Sequence, residues 1–187
     1  MEYRFIYLHG FNSAGDKRTD KVQTLSELGE VVTIDYDSFR SYGEIFAHLS
    51  VEIPKLVNAT EHRCCLIGTS LGGYWANKIG CHLGIPAILL NPSIKPSETL
   101  TKHVGIELEN YKTGERNTLN ASIPGTYPDA DRKGNFLVIV DRGDEVLNAR
   151  DTIDYFDGVE VVAFDGGRHR FEHMSEALVY IGRFLGM

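Results

Sequence analysis

Short apolar runs separated by longer amphipathic or polar stretches recur along the chain, and each run ends at or one residue before glycine, asparagine or aspartate. Tyr3 to Leu8 alternates only in part and stops at His9-Gly10, which predicts a buried first strand and a strand-like start from Met1. A small polar loop from Phe11 to Gly15 leads to a charged helix from about Asp16 to Leu28, closed by Gly29. Val31 to Ile34 is the second strand, followed by a polar and aromatic loop from Asp35 to Tyr42. From about Gly43 to Val57, Ile45, Leu49, Ile53 and Leu56 recur at mostly helical spacing, with Pro54 placing the last turn in question.

Arg63 to Ile67 is a third strand, followed after Gly68 to Gly73 by a helix from near Tyr74 to Gly84. Ala87 to Leu90 is a fourth strand, ended by Asn91-Pro92. From Ser93 to Gly134 the texture turns polar, and a stretch of that length reads as an excursion over the sheet, a small cap. Phe136 to Val140 and Val159 to Phe164 are the fifth and sixth strands, with helices from about Asn148 to Phe156 and Phe171 to Leu185. Strands alternating with helices predict an α/β fold with a doubly wound, mainly parallel six-stranded sheet, in a single domain over residues 1–187. In such sheets ligands lie beyond the carboxyl ends of the strands, where strand order reverses. The loops after strands one, three, five and six are therefore where chemistry is expected.

Composition narrows the classes. The 26 acidic against 19 basic residues give a net charge of -7 without a basic patch, which argues against nucleic acid as partner. No apolar run approaches membrane-spanning length, and the first residues lack the pattern of a signal peptide. Three cysteines, two of them adjacent, give neither a disulfide framework nor zinc spacing, and a cytoplasmic location is expected.

Gly68-Thr69-Ser70-Leu71-Gly72 matches G-x-S-x-G, in which a strand turns sharply into a helix and leaves a serine Oγ exposed. By chance the pattern arises in about one chain in sixteen of this length, so its context decides. The loop after strand five contains Asp141, Asp144 and Glu145, and the loop after strand six contains His169. The order Ser70, Asp144, His169 is that of the α/β-hydrolases. In acyl transfer Ser70 attacks a carbonyl, His169 takes and returns the proton, and Asp144 orients the imidazole. Backbone N–H groups of Leu71 and of Phe11, preferred over Asn12, are the expected oxyanion donors.

Other assignments compete. Asp141 and Glu145 are alternative acids, and Asn91 and residues 36–42 are candidate pocket linings that loop solvation explains equally well. His9 reads as a structural hydrogen-bonding residue near the site, Tyr74 and Trp75 as packing residues, and Arg142 as balancing its acidic neighbours. His48, His62, His82 and His103 are expected at solvated positions. His169-Arg170-Phe171-Glu172-His173 also matches the inverted zinc motif H-x-x-E-H, but that motif needs both histidines on one helix, and Gly166-Gly167 place His169 at a loop junction.

His-Gly-Phe-Asn-Ser, Gly-Thr-Ser-Leu-Gly-Gly-Tyr-Trp-Ala, Leu-Leu-Asn-Pro-Ser, Asn-Tyr-Lys-Thr-Gly, Gly-Asp-Glu-Val-Leu and Gly-Gly-Arg-His-Arg-Phe follow one another along the chain. With these it resembles, over nearly its whole length, the small bacterial α/β-hydrolases of the YqiA and YcfP type. That resemblance implies a compact fold, esterase activity on short acyl esters or thioesters, and Ser70, Asp144 and His169 at the matching positions. The expected partner is a small-molecule ester or thioester, and the reading calls for no metal or nucleotide cofactor; oligomeric state is left open. The alternative is a noncatalytic binding or scaffold protein that keeps the fold.

Overall fold

A computed structural model of the chain describes residues 2–110 and 112–187. The strand start at Met1 and the tyrosine of Asn-Tyr-Lys-Thr-Gly, Tyr111, lie outside the described residues. Six parallel strands form the main sheet: β1 (Tyr3–Leu8), β2 (Gly29–Ile34), β3 (Arg63–Thr69), β4 (Ala87–Leu90), β7 (Phe136–Asp141) and β8 (Val161–Phe164). Their spatial order is β2-β1-β3-β4-β7-β8. The chain moves outward from β1 to β2, then returns to the other side of β1 at β3, so strand order reverses between β1 and β3. Leu8 pairs with Gly68, which brings the loops leaving these two strands out side by side.

Alternate residues of each strand enter two separate cores, as the two-residue repeat of a strand requires. Ile6, Leu8, Leu66, Leu89, Val138 and Val140 face α2 (Tyr42–Asn58), α3 (Leu71–Leu83) and α5 (Ala149–Tyr155). Tyr3, Phe5, Tyr7, Cys65, Ile67, Leu137 and Ile139 face α1 (Asp20–Leu25) and α6 (Met174–Leu185). Burial on both faces explains why the runs read as continuous rather than cleanly alternating. Trp75 and Tyr74 are fully buried in the first core, each contributing about 1.5–3 kcal/mol or more of burial free energy.

Element limits differ from the sequence pattern for local reasons. The helix expected from Asp16 begins only at Asp20, because the Asp16 carboxylate accepts the Arg18 N–H (2.9 Å) in a turn that competes with a helical start. Ser41 caps α2 in a reciprocal box with Glu44, and the helix runs through Pro54 to Asn58. Residues 93–134 hold a four-residue helix α4 (Pro96–Thr99), two single-turn 3-10 segments (Leu100–His103 and Pro124–Thr126) and an antiparallel hairpin of β5 (Glu107–Glu109) and β6 (Arg116–Thr118). Among the described residues no helix is long and apolar enough to cross a membrane.

Candidate active site

The elbow is a single residue wide. β3 ends at Thr69 and α3 begins at Leu71, so Ser70 alone makes the turn, with φ 58° and ψ −121°. That is a backbone conformation rarely adopted by a residue with a side chain, and its neighbours hold it in place. Ser70 N–H donates to the Leu90 carbonyl (3.0 Å), while the Ser70 carbonyl accepts from Tyr74 (3.1 Å) and Ser93 (3.1 Å). Gly68 and Gly72 are needed for space: a Cβ on Gly68 would lie 2.3 Å from the Gly72 carbonyl group, and one on Gly72 would lie 2.1 Å from the Leu8 carbonyl oxygen. Helix α3 starts three residues earlier than its apolar pattern indicates, since the turn needs no further residue.

Three of the residues singled out above meet at this turn. His169 Nε2 lies 3.0 Å from Ser70 Oγ, and His169 Nδ1 lies 2.9 and 3.0 Å from the two carboxylate oxygens of Asp144. The Asp144 side chain is 2% exposed, and its Oδ1 also accepts the N–H groups of Val146 and Leu147 (2.8 Å each). A carboxylate so placed holds the Nδ1–H tautomer and leaves Nε2 as the acceptor facing the serine. Glu145, the alternative acid, holds main chain instead: Oε2 accepts the His169 N–H (3.0 Å), and this bond keeps its carboxyl below the usual range. Asp141, the other alternative, is turned away from His169 and bonds His173 Nδ1 (2.8 Å).

Leu71 is the first residue of α3, so its N–H has no helical acceptor and points from the positive end of the helix. Asn12 donates its N–H to Ser38 Oγ (2.9 Å), whereas among the described residues no acceptor takes the N–H of Phe11. Gly10 brings this loop against the elbow, where a Cβ would stand 3.6 Å from Ser70 Cβ.

His9 is buried, and burial lowers its pKa. Its Nδ1–H donates to the Gly10 carbonyl (2.8 Å), its Nε2 accepts the Tyr36 N–H (3.4 Å), and its ring stacks on Tyr36 (4.3 Å). These contacts place it as a support for the first loop rather than a base for Ser70.

Ser70 and His169 open onto a cleft of about 1130 Å³, whose walls include Phe11, Leu100, Leu108, Leu147 and Phe171. Its polar lining includes Lys21, which donates to Thr69 Oγ1 (3.1 Å) and to the Arg170 carbonyl. Residues 93–134 form part of the rim. The His103 ring packs tilted against Phe11 (5.0 Å, 32°), Asn12 Nδ2 donates to the Glu109 carbonyl (3.2 Å), and Lys112 pairs with Asp16 (3.2 Å). His103 is thus a cleft residue rather than a solvated one, and no sequence signal distinguishes it. Asn91 is buried and joins three strand-end segments instead of lining the cleft. Arg142 pairs with Asp165 (3.3 Å), an acidic neighbour across the strand ends.

His169 and His173 do not share a helix, because α6 begins at Met174. Each directs Nδ1 at a different aspartate, which takes the H-x-x-E-H spacing out of its zinc geometry.

The profile of the family described as "Uncharacterised protein family (UPF0227)" matches residues 4–186. The chain is 28% identical over 181 residues to the UPF0227 protein YcfP of Escherichia coli, covering 96% of this chain and 97% of that one. Among solved structures, Est1E from Butyrivibrio proteoclasticus superposes with a TM-score of 0.73 at 16% identity, covering 100% of this chain and 89% of that one. With ferulic acid bound, Est1E gives 0.70 at 16% identity, with coverage of 98% and 90%. The Pyrococcus furiosus esterase PF2001 gives 0.66 at 15% identity, with coverage of 99% and 82%. These likenesses make the fold that of the α/β-hydrolases.

Proposed function

For this chain, which belongs to the UPF0227 family, we propose the function of a serine hydrolase that cleaves carboxylic esters or thioesters of small acyl groups through an acyl-enzyme on Ser70. One observation carries the reading: His169 Nε2 stands 3.0 Å from Ser70 Oγ while its Nδ1 is bound by the buried side chain of Asp144, and Ser70 and His169 both line an open cleft. Nucleophile, base and orienting carboxylate within hydrogen-bond reach are what acyl transfer requires. The ferulic acid held by Est1E is an aromatic acid in a neighbour of the same fold, and it supports a small carboxylic acyl group as the class of substrate.

The steps follow from the geometry. Ser70 Oγ adds to the carbonyl carbon as its proton passes to His169 Nε2, and Asp144 stabilises the imidazolium so formed. The developing oxyanion is met by the N–H groups of Leu71 and Phe11. His169 then protonates the departing alcohol or thiol. Water, deprotonated by the same nitrogen, releases the acid and restores Ser70. No metal or nucleotide enters this scheme.

The test is fluorophosphonate labelling with the modified peptide mapped, followed by a series of esters and acyl-CoA thioesters of increasing acyl length. Ser70 is expected to carry the label, and Ser70→Ala to lower turnover by about 10⁴-fold or more with an unchanged circular dichroism spectrum. Folded protein that neither labels nor turns over any ester would leave a binding or scaffold protein as the reading.

A further inference from the structure

Behind the pair of Asp144 and His169 lies a second carboxylate–histidine pair that the scheme above does not use. Asp141, the last residue of β7, has a side chain with no exposure at all. Its Oδ1 meets His173 Nδ1 (2.8 Å), and its Oδ2 accepts the Glu172 N–H (2.8 Å). His173 is a quarter exposed and stacks on Phe164 of β8 (5.0 Å, 20°). Burial of a carboxylate is costly unless its oxygens are bonded, so these contacts fix the chain at residues 172 and 173.

Asn91, just beyond β4, fixes the other end of the same loop. Its Nδ2 donates to the carbonyls of Arg168 (3.0 Å) and His169 (3.2 Å), and its Oδ1 accepts the Asp141 N–H (2.8 Å). It does so from φ 40°, a left-handed conformation that asparagine tolerates better than most residues. Gly167 completes the fit: a Cβ there would lie 2.1 Å from Asp141 Oδ2. The five-residue span from Arg168 to Glu172 is therefore held at both ends from the tips of two adjacent central strands, with His169 inside it.

Resting on the hydrolase reading above, we propose that Asn91, Asp141 and His173 are positioning residues that set the distance and angle of His169 to Ser70. None of the three lines the cleft, so none binds substrate. Their effect falls on turnover rather than on substrate binding, since a displacement of about 1 Å at a catalytic base costs up to about 100-fold in rate.

The experiment compares His173→Phe, which keeps the ring against Phe164 but removes the donor, with His173→Asn, whose amide supplies a donor near the Nδ1 position. Asn91→Gly is the second variant, because glycine accepts φ 40° and only the side-chain bonds are lost. Two readouts are taken on protein shown to be folded. The first is kcat and KM on the best ester. The second is the hydrogen-bonded Nδ1–H proton of His169 in ¹⁵N-histidine-labelled protein, identified by its absence in His169→Ala. We expect His173→Phe and Asn91→Gly to lower kcat about 10- to 100-fold with little change in KM, and to weaken or shift the His169 proton. His173→Asn is expected to restore both. If either readout stays at the wild-type value in both His173→Phe and Asn91→Gly, the proposal is overturned. If wild-type protein neither labels nor turns over, the hydrolase reading falls and the proton signal alone decides whether the loop is held this way.

Discussion

The elbow at residues 68–73 and the segment at residues 93–134 meet at the same cleft, yet they are held by different means. The elbow is fixed by main chain against main chain: Ser70 bonds the β4 tip and the chain beyond it, and Gly72 rests on the Leu8 carbonyl without room for a methyl group. The segment is fixed chiefly by side chains. Tyr127 donates to the Arg40 carbonyl (2.9 Å), Tyr74 to the Pro128 carbonyl (2.9 Å) and Tyr155 to the Ala130 carbonyl (2.6 Å), while Asn77 exchanges two bonds with Asp131. Close-packed backbone has no soft degree of freedom with which to absorb a change, whereas a side-chain bond to an exposed acceptor, such as that of Tyr127 to the Arg40 carbonyl, is replaced by water at small cost. The site is thus rigid at the elbow and adaptable along its rim.

The largest expected effect tests the rigid side. Gly72→Ala places a Cβ 2.1 Å from Leu8 O and 2.6 Å from His9 O, so β1 and α3 must part. We expect a loss of about 3 kcal/mol, at the upper end of overpacking costs, read as a lowered midpoint in urea. A midpoint equal to wild type would show that the elbow yields as easily as the segment does.

That contrast also marks what the sequence makes legible. The elbow is written in consecutive residues, two glycines at fixed offsets from a serine, and the partner loops follow strands whose apolar runs are continuous because both faces are buried. The parallel sheet covered by helices on both faces and the loops that carry Ser70, Asp144 and His169 are accessible from that pattern, whereas the order β2-β1-β3-β4-β7-β8 is not written in any local residue signal. The β5–β6 hairpin is not, because Glu107-Leu108-Glu109 and Arg116-Asn117-Thr118 lie mostly exposed and carry almost no apolar signal. Nor does the chain reveal that Asp141 supports His173 rather than His169. Both aspartates sit within four residues, and only the main-chain path, with Gly143 turning beside Gly166, separates their directions.

A smaller effect of opposite sign is expected at Ser70 itself. Its φ of 58° is one that glycine adopts freely, so Ser70→Gly releases strain while adding freedom to the unfolded chain. The balance is a gain of about 1 kcal/mol in unfolding free energy together with loss of turnover. A destabilised Ser70→Gly would mean that the serine side chain stabilises the elbow more than its conformation strains it.

Smaller again is Tyr127→Phe, on the adaptable side. The ring stays packed against Tyr42, Tyr74 and Trp75, and only the bond to the carbonyl of exposed Arg40 is lost. About 0.5 kcal/mol is expected, since water takes the freed acceptor. Hydrogen exchange should quicken around residues 123–131 and stay unchanged in residues 63–75. Equal quickening in both would erase the distinction between them.

The finest test uses pH, because the two sides carry groups that respond in different windows. Burial lowers the pKa of His9, which is neutral in the folded protein and bonded through both ring nitrogens to main chain. Its contribution is complete above the unfolded histidine value of about 6.5 and declines as pH falls below it, because the unfolded chain then binds a proton that the folded chain resists. Asp16, which joins the first loop to Lys112, has its carboxyl held low by the Arg18 N–H, the Arg18 side chain and Lys112. Its contribution persists until pH falls below the unfolded aspartate value of about 4. Between these two values the support beneath the first loop weakens while the tie to the rim remains. Thermal unfolding of wild type should therefore show a decline from about pH 6.5 toward 5 that His9→Gln flattens. Lys112→Met should lower the curve above about pH 4 while leaving most of that decline in place, and its difference from wild type should shrink as pH falls below about 4. A decline that tracks Lys112 instead would reverse the assignment of which side of the cleft responds first to acid.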